Sequence, residues 1–123
     1  MIGALVWIGI GVMGAAGAYA RFSATAMITR RRPTAFPWGT FSVNLSGGFA
    51  LGVLTGLGVG GDALLILGTG FLGGYTTFST WMVESQRLGE DGDSPDLILY
   101  LLGSMLAGLV TTGAGWALAE LIA

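Results

Sequence analysis

Four stretches of this 123-residue chain carry no charged residue: 1–20, 33–61, 63–83 and 97–119. The hydrocarbon core of a bilayer, about 30 Å thick, is crossed by roughly 20 helical residues, and each stretch is long enough. Only 10% of the residues are charged and 53% are hydrophobic, against roughly 25% charged in soluble proteins. A domain this small leaves much of its surface exposed, and twelve charges do not cover it in water. The chain therefore reads as an all-α integral membrane protein, one domain over 1–123, with helices near 2–20, 38–59, 63–83 and 97–120. Membrane barrel strands are excluded, because they would be about 10 residues of alternating polarity. The first stretch is not read as a signal peptide: it lacks a basic leading region and its helical pattern runs on to Arg21.

The charges themselves are grouped. Arg21, Arg30, Arg31 and Arg32 form one cluster; Glu84, Arg87, Glu90, Asp91, Asp93 and Asp96 form another; Asp62 and Glu120 stand apart. Between the clusters, Gly58, Gly60, Gly61 and Asp62 make a short turn, and Pro37 suits the first turn of the second helix. All five Arg fall on the side where helix one joins helix two and helix three joins helix four. Arg retained inside then predicts both termini outside, in a cell (inner) membrane. Arg30, Arg31 and Arg32 set this topology and touch anionic lipid. The absence of His and Cys excludes imidazole or thiolate metal sites, disulfides and thiol nucleophiles. The absence of Lys and a net charge of −2 leave no basic surface for nucleic acid.

Glycine is unusually frequent, at 23 residues. In lipid, small residues let helix backbones approach closely. Gly48, Gly52, Gly56 and Gly60 recur every four residues, as do Gly103, Ala107, Thr111 and Gly115; helix one has Gly14 and Ala18. Four slim helices bury little alone, so a dimer or larger assembly is expected.

Polar residues at membrane depth are the functional candidates. Asn44 offers two donors and one acceptor, either for an interhelical hydrogen bond or for a ligand. The run Gly73-Gly74-Tyr75-Thr76-Thr77-Phe78-Ser79-Thr80-Trp81 weakens a helix and predicts a break in the middle of helix three, at Gly73-Gly74. Broken backbone survives in a membrane only where protein or water covers it. It frees carbonyls for a cation and N–H groups or hydroxyls for an anion. Phe78 and Trp81 share a face, and ring edges are positive. Tyr100, Ser104, Gly108 and Thr112 line one face of helix four, as a hydrated path or as glue between helices. Arg21 ends helix one, either snorkelling to the interface or concentrating anions at a pore mouth. Glu84 is a possible partner for it.

These residues resemble the bacterial fluoride channel family, Fluc or CrcB, over nearly the whole chain. Gly14-x-x-Gly17-Ala18-x-x-Arg21-Phe22, Pro37-x-Gly39-Thr40-x-x-Val43-Asn44 and Gly70-Phe71-x-Gly73-Gly74-x-Thr76-Thr77-Phe78-Ser79-Thr80 match its motifs in order, and Gly103-Ser104 suits its fourth helix. The resemblance implies an antiparallel, dual-topology dimer with two pores that exports cytoplasmic fluoride passively. By position, Asn44, Phe78, Trp81, Tyr100 and Ser104 would line the anion pathway, with Thr77, Ser79 and Thr80 beside them and Arg21 at the mouth. Gly73 and Thr76 would offer carbonyls to a central structural sodium ion (Na+), which is not transported. Trp81 departs from the family's usual Phe. The arginine bias departs too, and predicts a fixed orientation with an oppositely oriented homologous subunit, a heterodimer in place of a homodimer.

Two other functions compete. A small multidrug antiporter has four helices and this length, but needs a carboxylate buried in the membrane; Glu84 and Glu120 lie at helix ends. A non-transporting scaffold or accessory subunit accounts for the glycine stripes and not for Asn44 beside the Thr-rich run. An enzyme is not expected without a nucleophile–base pair or metal-binding set.

Overall fold

A computed structural model describes residues 1–123, and the chain is entirely helical and loop. It forms four helical columns: α1 (Ala4–Arg31), α2 (Trp38–Gly56), a third column in two pieces, and α5 (Ser94–Ile122). In the third column, α3 covers residues 61–75 and α4 is Ser79–Glu90; the middle of α3, Leu65–Leu72, is wound as π-helix. α1 and α5, at 28 and 29 residues, are each long and apolar enough to cross a membrane.

α1 does not stop at Arg21 but continues to Arg31. The next ten residues are compatible with helix, and the stop comes from Pro33, which drives Arg32 out of helical geometry (φ −131°, ψ 74°). Loss of apolarity marks where a helix leaves lipid, not where it ends. Arg21 lies about 26 Å along α1 from Ala4 at 1.5 Å per residue, near the far edge of a bilayer core. α2 is also shorter than expected. Gly58 (φ 75°) closes it: its N–H donates to the Thr55 carbonyl and that of Val59 to the Leu54 carbonyl, the paired bonds of a Schellman cap. Gly92 (φ 72°) ends α4 in the same way.

Only 14 of 123 residues are buried, and six of these are glycine: Gly17, Gly39, Gly47, Gly52, Gly70 and Gly115. The columns are thus joined backbone to backbone. A Cβ on Gly52 would overlap the Thr112 carbonyl, and one on Gly115 the Phe49 carbonyl, which presses α2 onto α5. Gly48 meets the Thr112 hydroxyl and Gly56 the Trp116 carbonyl, whereas Gly60 meets nothing. On α5 the contact row is therefore Gly108, Thr112, Gly115 and Ala119; of the expected Gly103, Ala107, Thr111 and Gly115, only Gly115 belongs to it, and the Thr111 hydroxyl lies at its edge beside Gly48.

Gly73 and Gly74 are helical, so they do not themselves break the third column. Gly74 lies where a Cβ would strike the Gly14 carbonyl, and Gly17 where one would strike that of Phe71. Gly74 serves the close approach of α3 to α1. The non-helical residues are 76–78, and Thr76 is extended (φ −84°, ψ 160°).

The ends gather consistently. Arg32 and Arg87 line one cavity of about 400 Å³ together with Thr34, Phe36, Trp38, Glu84, Asp91 and Asp93. This end is plugged by Phe36, Leu88 and Tyr100, against which Trp38, Phe41, Trp81 and Leu97 pack.

Candidate functional site

Two side chains from other helices hold residues 76–78 out of helical geometry. A continuing helix would send the Thr77 N–H to the Gly73 carbonyl and the Phe78 N–H to the Gly74 carbonyl. Asn44 takes the first: its Oδ1 accepts from the Thr77 N–H at 2.8 Å and its Nδ2 donates to the Thr77 carbonyl at 2.9 Å. Arg21 takes the second position, donating from Nε to the Gly74 carbonyl at 3.2 Å. A cation suits the negative C-terminal end of α3.

What this leaves is unclaimed backbone. No hydrogen bond in the chain uses the Thr76 carbonyl or the Phe78 N–H. One Nδ2 hydrogen of Asn44 is also unused. The negative end of α3 and the positive start of α4 thus lie on either side of three residues. Asn44 borders a cavity of about 250 Å³ lined also by Gly47, Gly48, Gly68, Gly73 and Thr76.

The hydroxyls are ordered around the start of α4. Thr77 Oγ1 accepts from the Thr80 N–H at 3.2 Å, in the manner of a cap, and donates to Thr80 Oγ1 at 3.1 Å. Ser79 Oγ lies 3.5 Å from Thr77 Oγ1. The Phe78 and Trp81 rings meet edge to face, centroids 5.6 Å apart at 75°. Phe78 is 70% exposed on the single chain, whereas Trp81 leans into the aromatic plug with its Nε1–H buried and unpartnered.

Neither Tyr100 nor Ser104 hydrogen-bonds to the interruption. Tyr100 is fully buried and its hydroxyl donates to Glu84 Oε1 at 3.4 Å. Thr40 donates to the same oxygen at 2.5 Å. Glu84 is therefore held by two hydroxyls and not by Arg21. Ser104 Oγ is buried with no partner. Farther along the same face, Thr112 bonds back to the Gly108 carbonyl at 2.8 Å and abuts Gly48. That end of the polar stripe is helix-to-helix contact within the chain.

Thr40 is the residue that sequence reasoning did not single out. It is 2% exposed and precedes Asn44 by four residues, on the same face of α2. That spacing was the available signal. Ser46 is another: its Oγ lies 2.8 Å from the Tyr75 hydroxyl, a second tie between α2 and the last turn of α3.

Residues 8–116 match the family model described as CrcB-like protein, Camphor Resistance (CrcB). The chain belongs to the CrcB-like family. The matched span includes every residue of the site, from Arg21 to Ser104. Among CrcB-like relatives, the chain is 42% identical over 116 residues to the fluoride-specific ion channel FluC 2 of Mycobacterium tuberculosis (strain CDC 1551 / Oshkosh), covering 94% of this chain and 92% of the relative. It is 45% identical over 118 residues to fluoride-specific ion channel FluC 1 of Symbiobacterium thermophilum, covering 91% and 95%. It is 41% identical over 113 residues to FluC 2 of Haloarcula marismortui, covering 92% of each. The CrcB-like match and the apolar helices together make this a membrane protein.

Proposed function

We propose that this chain is the subunit of a fluoride-specific ion channel, not an enzyme, and that it releases cytoplasmic fluoride passively. The observation that carries the reading is the interruption at 76–78, held by Asn44 and Arg21, with the Phe78 N–H unclaimed at the start of α4. Fluoride is small and strongly hydrated. To shed water it needs N–H and O–H donors and positive ring edges, without a full charge that would trap it. Asn44's spare N–H, the hydroxyls of Thr77, Ser79 and Thr80, and the rings of Phe78 and Trp81 are of that kind. The names of the CrcB-like relatives supply fluoride over other halides. Purified protein in liposomes should release fluoride and retain chloride. Release of both at similar rates, or of neither, overturns the reading.

Phe78, exposed on one chain, suits a pore completed by a second chain, in keeping with the antiparallel two-pore dimer that the family resemblance implies. Structural Na+ fits the same interruption. The Thr76 carbonyl has no donor and the Gly73 carbonyl has lost its helical one to Asn44. Carbonyl oxygens suit a hard cation, and an ion there would hold the interruption rigid without being carried. The arginine bias supports a chain of fixed orientation, both termini outside the inner membrane, paired with an oppositely oriented homologue. A reporter fused at the C-terminus and expressed with this chain alone should signal from outside only. Equal signals from both sides would favour a homodimer.

A further inference from the structure

The cavity of about 400 Å³ at the arginine-bearing end is lined by charges of both signs. Two guanidiniums, Arg32 and Arg87, and three carboxylates, Glu84, Asp91 and Asp93, share it with Trp38. Its walls are the ends of the columns: the end of α1, the start of α2, the end of α4 and the residue before α5. The charged segment 84–96 separates two uncharged stretches, which sets the cavity at the level of the lipid headgroups.

These charges do not neutralise one another. Arg32 lies over the Trp38 ring, 5.1 Å from its centroid, in a cation–π contact. Arg87 precedes Asp91 by four residues at the end of α4, the order along a helix that pairs less well. Of the five Arg, Arg21 alone makes a hydrogen bond, so the N–H groups of Arg32 and Arg87 are unused. The carboxylates bond only to neutral groups. Glu84 Oε1 accepts from Thr40 and Tyr100, Asp93 Oδ1 accepts from the Asp96 N–H at 3.4 Å, and Asp91 accepts nothing. Each carboxylate therefore keeps at least one free oxygen.

Unpaired charges of both signs around one space suit a ligand that carries both. A free anion would meet three carboxylates there, and a simple cation two guanidiniums. A phosphate joined to a primary ammonium satisfies both sets. Guanidinium N–H groups take phosphate oxygens in pairs, and the ammonium has three N–H groups for the carboxylates. A quaternary ammonium has none to give and is held by aromatic faces instead; Trp38 is already engaged by Arg32, Phe36 and Phe41.

We infer that this cavity binds a phospholipid headgroup bearing a primary ammonium, as in phosphatidylethanolamine, with the phosphate on Arg32 and Arg87 and the ammonium on Asp91 and Asp93. Arg30 and Arg31 are exposed and line no part of it. The inference needs only a membrane chain and stands apart from fluoride passage.

The test is native mass spectrometry of the purified protein titrated with phosphatidylethanolamine, phosphatidylcholine and phosphatidylglycerol of identical acyl chains. The ethanolamine lipid should bind about fivefold more tightly than either of the others, the upper end for an exposed charge pair. Arg87→Gln together with Asp91→Asn should abolish that preference. Neither side chain makes a hydrogen bond in the chain, so the melting temperature in detergent should stay that of the parent. Asp91→Asn alone, which removes only an ammonium partner, should weaken the preference over the choline lipid and keeps the test available if the double variant is unstable. Equal binding of the three lipids, tightest binding of the choline or the glycerol lipid, or a preference that survives in the variants overturns the assignment. Each of these results leaves the channel reading where it stood.

Discussion

Replacing Asn44 by Ala removes both partners of the Thr77 backbone at once, and the geometry bounds the cost. As ordinary interhelical contacts in lipid, two hydrogen bonds at about 0.6 kcal/mol each would cost about 1.2 kcal/mol. If the Thr77 N–H and carbonyl stay bare, at about 1–3 kcal/mol for each unsatisfied buried group, the cost is about 2–6 kcal/mol. The chain has a cheaper response. Once released, the Thr77 N–H turns onto the Gly73 carbonyl, recovering about 1 kcal/mol, and the helix winds through the interruption. A loss of about 1–3 kcal/mol is therefore expected, with the fold intact and fluoride flux abolished, because the freed backbone is reabsorbed. Thermal unfolding in detergent reads the stability, and liposome efflux reads the flux. Undiminished flux with reduced stability would show that Asn44 only joins two helices. No change in either would refute the clamp itself.

Other outcomes follow from the same geometry. Asn44→Asp keeps the acceptor for the Thr77 N–H but sets a carboxylate oxygen against the Thr77 carbonyl at the present 2.9 Å contact; efflux should stop, since an ionised group there also repels the anion. Phe78→Ile keeps bulk and loses the positive ring edge, so flux should fall sharply with melting unchanged; equal flux would mean that the ring only packs. Trp81→Phe removes a buried N–H without a partner, relieving about 1–3 kcal/mol of desolvation against the lost ring area; its melting temperature should not fall. Gly52→Ala drives a Cβ into the Thr112 carbonyl and should destabilise by about 1–3 kcal/mol, whereas Gly60→Ala, with open space, should cost nothing on steric grounds.

The resemblance to the fluoride channel family rested on three motifs, and the structure gives two of them new physical content. Gly14 and Gly17 mark where α1 lies against α3. The Gly73-Gly74 pair reads as a helix breaker from propensity alone, yet both residues are helical. Propensity is a weak prior, and tight packing on Gly14 overrides it for Gly74. The interruption appears two residues later because hydrogen-bond partners, not local preference, decide where it falls.

What the sequence by itself determined was the solvent. Transfer into lipid is summed residue by residue, so the four uncharged stretches establish a helical membrane chain without reference to any contact. The clustering of arginine belongs to the same additive class. What only the tertiary structure decided was which polar groups are spent and which are left over. Asn44 meets Thr77 across 33 positions and Arg21 meets Gly74 across 53. No local pattern encodes such pairings. The state of the Phe78 N–H and the Thr76 carbonyl follows from them, because each backbone group forms its bond only with what the folded chain brings within reach.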